Sequence, residues 1–373
     1  MIRRTIQDVI EKILFKGKAI IIYGPRQVGK TTLLTSILHG FKGRSAFLNC
    51  DEPDIRLGLT DKTSTELKML IGAAKLVLID EAQRVPNIGL TLKLLIDNFP
   101  GIQIIATGSS SFELSNRIVE PLTGRKREFH LYPFSLAELG QIYTPIEIKR
   151  LIERFMVYGM YPAVINAPEQ AGETLRELSR SYLYKDILAF QQIRNPDALE
   201  RLVQALALQA GGEVSNNELA GHIGLDKKTI DNYLRILEQS FIIYRLGSFS
   251  RNLRNELKKT KKLYFLDTGM RNAVINNLNP PGLRNDVGGL WENFVIAERI
   301  KSNHNQGRFP NTWFWRSHQQ QEIDYLEEEG GKLQGYEIKW KEKRLKIPSS
   351  FAAAYPDCPV KLISPENLIE FVT

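Results

Sequence analysis

The segment that most constrains the fold is Gly24-Pro25-Arg26-Gln27-Val28-Gly29-Lys30-Thr31, which satisfies G-x-x-x-x-G-K-(S/T) in full. It follows the apolar run Ala19-Ile20-Ile21-Ile22-Tyr23 and opens a helix expected from about Lys30. A buried strand, a glycine turn and a helix, in that order, are the context this motif requires. The glycines let the backbone curl until its N–H groups face one point, and the helix N-terminus adds partial positive charge there. Such a loop cradles phosphate. Lys30 is placed to reach the β- and γ-phosphates of ATP, and the Thr31 hydroxyl to ligate Mg2+. Residues 24–31 together with Thr32 are the expected nucleotide-binding set.

A second apolar run, Leu76-Val77-Leu78-Ile79, ends in Asp80-Glu81. Ligands of open α/β sheets bind at the carboxyl ends of strands, so this acid pair belongs beside the phosphate loop. Asp80 is expected to hold magnesium through water, and Glu81 to act as the base that polarises the attacking water. Further strands are expected at 45–49, 102–106 and 127–132, with helical periodicity at 90–99. Strands that alternate with helices predict an α/β fold with a parallel sheet.

The chain has 373 residues, enough for two to four domains. Its net charge is +8, which suits an acidic partner such as nucleic acid without requiring one. The two cysteines, Cys50 and Cys358, lie too far apart in sequence for a paired motif, which argues against a disulfide framework or a zinc site. No uninterrupted apolar run approaches membrane-spanning length, so a cytoplasmic protein without membrane contact is expected.

These motifs resemble an AAA+-type ATPase. In that family a polar sensor follows the fourth strand, and Thr107-Gly108-Ser109-Ser110-Ser111 stands there; the resemblance implies that Ser109 or Ser110 helps to place the lytic water. It also implies an arginine finger at Arg125, in Leu122-Thr123-Gly124-Arg125. A guanidinium at that place would stabilise the negative charge of the phosphoryl transition state in a neighbouring subunit. The alternative is that Arg125 caps the preceding helix or belongs to the basic stretch Arg125-Lys126-Arg127. Phe134-Ser135-Leu136-Ala137-Glu138-Leu139, Tyr158-Gly159-Met160-Tyr161-Pro162 and Tyr264-Phe265-Leu266-Asp267-Thr268-Gly269 narrow the resemblance. They are similar to segments of prokaryotic AAA-type ATPases that carry a C-terminal domain of unknown function. No second arginine sensor is evident in the lid.

From about 135 to 245 the pattern is helical, with examples at 146–158, 170–190 and 197–210. Within 213–246, Asn216 or Asn217 can cap a short helix, Gly224 makes a turn, and Asp226 caps a second helix at 227–239. Leu219, Ile223, Ile230, Leu234 and Leu237 have the spacing that packs two such helices together. A strand at 240–246 then completes a winged-helix pattern. Lys227, Lys228, Thr229, Asn232 and Arg235 face outward. Arg251, Arg254, Lys258, Lys259, Lys261 and Lys262 cluster where a wing meets a phosphate backbone. The alternative is a protein-binding or lid element with a solvated basic surface.

Residues 279–289 read as a linker. Beyond it a helix at 290–303 carries Glu292, and strands at 312–316, 321–326 and 334–340 carry Asp324 and the pair Glu337 and Lys339. Residues two apart on a strand share a face, so Glu337 and Lys339 project together. The array E…D…ExK resembles the PD-(D/E)XK nuclease core, in which Asp324 and Glu337 would bind magnesium and Lys339 would orient water. The alternative is a small α/β domain with exposed charges.

The expected plan is an ATPase domain at 1–140, a helical lid-like region at 141–200, a winged helix at 201–278 and a nuclease-like domain at 285–373. The leading function is an ATP-hydrolysing AAA+-type protein that acts on DNA, with a homo-oligomer as a candidate assembly. The alternatives are a regulatory ATPase whose C-terminal domains bind proteins, and a small-molecule kinase. The acid pair argues against the kinase, because it suits water as the nucleophile.

Overall fold

The computed structural model describes residues 2–109, 122–181, 193, 195–249, 261–317, 319–341 and 344–373. Ser110, Ser111, Arg251, Arg254, Lys258 and Lys259 lie outside the described residues.

The N-terminal part is an α/β layer built on five parallel strands: β1 (Ala19–Tyr23), β2 (Ser45–Asn49), β3 (Leu76–Asp80), β4 (Gln103–Gly108) and β5 (Lys126–His130). Their order is β2-β3-β4-β1-β5. β1, β3 and β4 are buried along their whole length. They read as continuous apolar runs because helices cover both faces of the sheet. The edge strand β2 is only partly buried. In this order the carboxyl ends of β1, β3 and β4 meet, which brings Gly24, Asp80 and Gly108 to one end of the sheet.

A second sheet has seven strands in the order β12-β11-β10-β9-β7-β8-β6. β6 (Glu213–Val214), β7 (Ile243–Ser248) and β8 (Lys261–Phe265) precede the linker; β9 (Asn311–Arg316), β10 (Glu322–Glu329), β11 (Lys332–Ile338) and β12 (Val360–Ile363) follow it. A short parallel pairing, Gly247 with Trp313 and Ser248 with Phe314, joins the two groups. The hydrogen-bonded ladder therefore crosses the boundary expected at 279–289. That segment is anchored: Asp286 accepts from Arg271 at 2.5 Å and from Arg284 at 2.8 Å, and the two guanidinium groups hold its carboxyl below the usual carboxylate range.

Between β6 and β7, Asp226 caps the helix Lys227–Gln239 by accepting from the Thr229 N–H at 3.0 Å. Gly224 adopts the left-handed conformation that the turn demands. The preceding helix, Asn216–Ile223, starts from Ser215 without a side-chain cap, so neither Asn216 nor Asn217 caps it. Leu219, Ile223, Ile230, Leu234 and Leu237 are all buried, as their spacing predicts.

Three of the recognised segments meet in one buried junction. The Phe134 N–H donates to the Met160 carbonyl at 2.9 Å, and the Met160 N–H donates to Asp267 at 2.9 Å. A Cβ on Gly269 would stand 2.2 Å from the Tyr158 carbonyl oxygen, so that close approach needs glycine. The helix Val287–Asn305 docks on the same junction. Glu298 accepts from the Leu136 N–H at 2.7 Å, and Lys301 donates to the Phe134 carbonyl at 3.1 Å. One apolar cluster accordingly runs from Ile21 and Ile79 through Leu136 to Trp291 and Tyr325.

Candidate functional site

The loop between β1 and the helix Lys30–Gly40 is held in a strained shape. Gly29 has φ +93° and Gln27 has φ +61°. A Cβ on Gly24 would lie 2.2 Å from the Leu131 carbonyl oxygen. Lys30 is buried and donates to the carbonyls of Gly24 at 2.9 Å and Pro25 at 3.0 Å, folded back over its own loop. The Thr31 hydroxyl donates to Asp80 Oδ2 at 2.6 Å, and the Thr107 hydroxyl donates to Asp80 Oδ1. A hydroxyl and a buried carboxylate in contact at a strand end suit a magnesium ion held by Thr31 directly and by Asp80 through water.

Glu81 follows with φ +53°, a conformation uncommon outside glycine. Its carboxylate accepts from Gln83 Nε2 at 2.5 Å, and the same nitrogen lies 3.0 Å from the Ser109 hydroxyl. Gln83 thus bridges the expected base and the expected sensor. It escaped sequence reading because no motif marks it. Arg4 also escaped. This buried arginine donates to the Val28 carbonyl at 2.7 Å, to the Tyr132 carbonyl at 2.7 Å and to Glu138 at 2.8 Å, so it ties the phosphate loop to the junction. Beside it a cavity of about 430 Å³ opens from Gly29 and Thr32, walled by Ile2, Val28, Phe134 and Pro162.

Arg125 is not part of this cluster. It precedes Lys126, which pairs with Ala19 at the amino end of β1, roughly 16 Å of strand away from Gly24. Its Nε donates to Asp97 at 2.7 Å, and its side chain is 43% exposed.

A second cluster lies at the C-terminal sheet. Lys339 Nζ reaches Asp324 at 3.2 Å and Glu337 at 2.9 Å, so these three residues share one face. Asp324 also accepts from the Ile338 N–H at 2.7 Å. Glu292 enters from the helix, and the carboxylate oxygens of Glu292, Glu322 and Asp324 lie within 4.8 Å of one another. Glu292 accepts from Lys262 at 2.9 Å and from the Tyr264 hydroxyl at 2.6 Å. Lys262 touches Glu322 as well, and Arg316 approaches Glu322 at 3.3 Å.

Lys262 corrects the sequence reading. It is 3% exposed and committed to two carboxylates, so it does not face a nucleic-acid backbone; Lys261 beside it is exposed. Strand alternation turns one of two neighbouring lysines inward. Burial pushes Glu292 up to about 7, with Lys262 opposing and Asp324 adding to the shift. Glu337 rises to about 7 for the same leading reason, reinforced by Asp324 and opposed by Lys339. One oxygen of Glu337 is buried with no hydrogen-bond partner among the described residues.

Parts of the chain match known families. Residues 16–140 match the profile of a family described as AAA domain. Residues 149–280 and 287–369 match two domains of unknown function, DUF8612 and DUF4143. The chain is similar in fold to the Walker-type ATPase of Pyrococcus abyssi, with a TM-score of 0.50 at 14% identity over 74% of this chain and 96% of that one. Residues 16–140 therefore match an AAA domain and have the fold and phosphate-loop motif of one. Over its length the chain is 26% identical to an uncharacterized protein of Mycobacterium tuberculosis, covering 90% of this chain and 74% of that protein. It is 27% identical to an uncharacterized protein of Methanocaldococcus jannaschii, covering 87% and 75%. No helix among the described residues is long and apolar enough to cross a membrane.

Proposed function

We propose that the chain binds ATP with magnesium at residues 24–32, hydrolyses it, and directs the resulting change toward DNA through its C-terminal half. The observation that carries the reading is Asp80, shared between the hydroxyls of Thr31 and Thr107, with Glu81 next in sequence and bridged through Gln83 to Ser109. Magnesium, when bound, neutralises charge on the β- and γ-phosphates. Lys30 exchanges the carbonyls of Gly24 and Pro25 for phosphate oxygens. Glu81 accepts a proton from water as the water oxygen bonds to the γ-phosphorus and the bond to the bridging oxygen breaks, which releases ADP and phosphate. Ser109, through Gln83, orients Glu81. The cavity beside Gly29, with apolar walls at Val28, Phe134 and Pro162 and polar ones at Gln7, Ser36 and Asn166, takes the nucleoside.

Arg125 stands too far from its own phosphate loop to act there; as a finger it would serve a neighbouring copy, while its pairing with Asp97 fits the structural alternative. Mixing an Arg125→Ala chain with a Lys30→Ala chain should then restore turnover that neither has alone.

The helix Lys227–Gln239, with Lys227, Lys228 and Arg235 exposed, followed by the β7–β8 hairpin, supports a winged helix that docks on DNA. The convergence of Glu292, Asp324, Glu337 and Lys339 supports a nuclease-like cleft. The test is ATP turnover with and without duplex DNA, alongside mobility shifts across a salt series. DNA-stimulated turnover with a steep salt slope is expected. Unchanged turnover without any shift would favour a regulatory ATPase with protein partners.

A further inference from the structure

The Lys262 ammonium sits where carboxylates converge. It contacts Glu292 at 2.9 Å and also Glu322, the two having oxygens within 4.8 Å of each other and of Asp324. The side chain is 4% exposed, so this contact is a fixed part of the fold. Tyr264, two residues on and on the same face of β8, binds the same Glu292 oxygen at 2.6 Å. β8 lies on the other side of the 279–289 segment from the strands and helix that carry the acids. On the far side of Asp324, Lys339 makes a second cationic bridge to Glu337.

We infer that Lys262 is a built-in counter-cation that closes the C-terminal cleft, holding the position a divalent ion would need among Glu292, Glu322 and Asp324. The inference rests on the reading of that cleft as nuclease-like. Two charges of one sign cannot share a space this small, so an ion enters only where the ammonium leaves. In the conformation described here, the cleft is closed to metal. It opens when the ammonium withdraws, and Lys262 is carried by β8, a strand of the hairpin proposed to dock on DNA. Metal loading would thereby depend on the state of the hairpin, and cleavage would be withheld from a chain that has not engaged its target.

The test uses the full chain without nucleotide and manganese as the probe. Mn2+ binding is measured by calorimetry, and thermal stability is followed with and without Mn2+, for wild type, Lys262→Met, Lys262→Gln and Lys262→Met with Asp324→Asn. Methionine keeps the length and removes the charge. Wild type should bind weakly and show no thermal shift. Lys262→Met should bind one Mn2+ roughly tenfold tighter or more, since a like charge has been removed from contact range. The Asp324→Asn addition should abolish that gain. Unpaired buried acids will lower the stability of the Met variant, and Mn2+ should restore part of it, so the thermal reading serves a weakened fold as well. Lys262→Gln, which can still hydrogen-bond the carboxylates, provides the same comparison if Met is not tolerated. Equal Mn2+ affinity in wild type and both variants, lost with Asp324→Asn, would overturn the closure and leave the cleft a metal site. No Mn2+ binding by any folded variant would overturn the closure and the nuclease-like reading together.

Discussion

The two acidic centres of the molecule are built in opposite ways. At the nucleotide site, Asp80 and Glu81 are held by neutral donors: Thr31, Thr107 and Gln83. Hydroxyls and amides fix a carboxylate without cancelling its charge, which remains free to attract an ion. In the C-terminal cleft, Glu292, Glu322, Asp324 and Glu337 are held by Lys262, Lys339 and Arg316. There the charge is largely balanced before any ligand arrives. The difference teaches that converging acids do not by themselves make a metal site; the sign of what holds them decides whether an ion can enter.

The largest expected effect lies at the first centre. Lys30→Ala should lower phosphate release by roughly 10³-fold or more, because the transition-state charge loses its main protein cation. Near-normal turnover would remove the P-loop from the account.

Next comes the cleft. Lys339→Met should cost roughly 2 kcal/mol in urea unfolding near neutral pH, since Asp324 and Glu337 lose a shared cation that is itself partly solvated. The pH dependence has a definite sign. The folded chain holds protons on Glu292 and Glu337 up to about 7, above the ordinary value of 4.5. Their contribution to stability is complete below 4.5 and is lost as pH rises through 7. Lys339 opposes that rise for Glu337, so its removal should steepen the decline, and the deficit should be larger above the window than below it. A deficit independent of pH would mean that the lysine acts through packing alone.

The smallest effect should come from a neutral donor. Thr107→Val removes the hydrogen bond to Asp80 and the one its hydroxyl accepts from the Glu81 N–H at 3.2 Å, and should cost roughly 1–1.5 kcal/mol of stability, with little pH dependence. It should also weaken magnesium-dependent ATP binding. A strongly pH-dependent loss would erase the contrast between the two centres.

Much of the first centre was legible in the sequence because its signals are local. Ala19–Tyr23 and Leu76–Ile79 are unbroken apolar runs, and the glycines and acids stand directly at their ends. Gln83 and Arg4 were not legible. Arg4 acts through contacts with Val28 and Glu138 that lie 24 and 134 positions away, and no spacing rule encodes those. The second centre was read in part. The same-face rule placed Glu337 with Lys339, and the E…D…ExK array found Asp324 and Glu292. Lys262 was missed because the joining of β7 to β9 brings two stretches into one sheet, and a two-position parallel pairing leaves no periodic signature; Glu322, two residues before Asp324 on β10, lay within reach of the same-face rule. Lys262 was read as a surface charge because composition cannot tell which of two adjacent lysines a strand turns inward.

The central claim is that Glu81 is the base of an ATP hydrolase whose metal position lies between Thr31 and Asp80. The most direct test is one paired measurement on Glu81→Gln: ATP retained at equilibrium with Mg2+, and phosphate released over time. The substitution keeps shape and hydrogen bonding and removes only the ability to accept the proton. ATP retained as in wild type, with phosphate release reduced by roughly 10²-fold or more, is the predicted result. Wild-type release from a chain that holds ATP normally would contradict it.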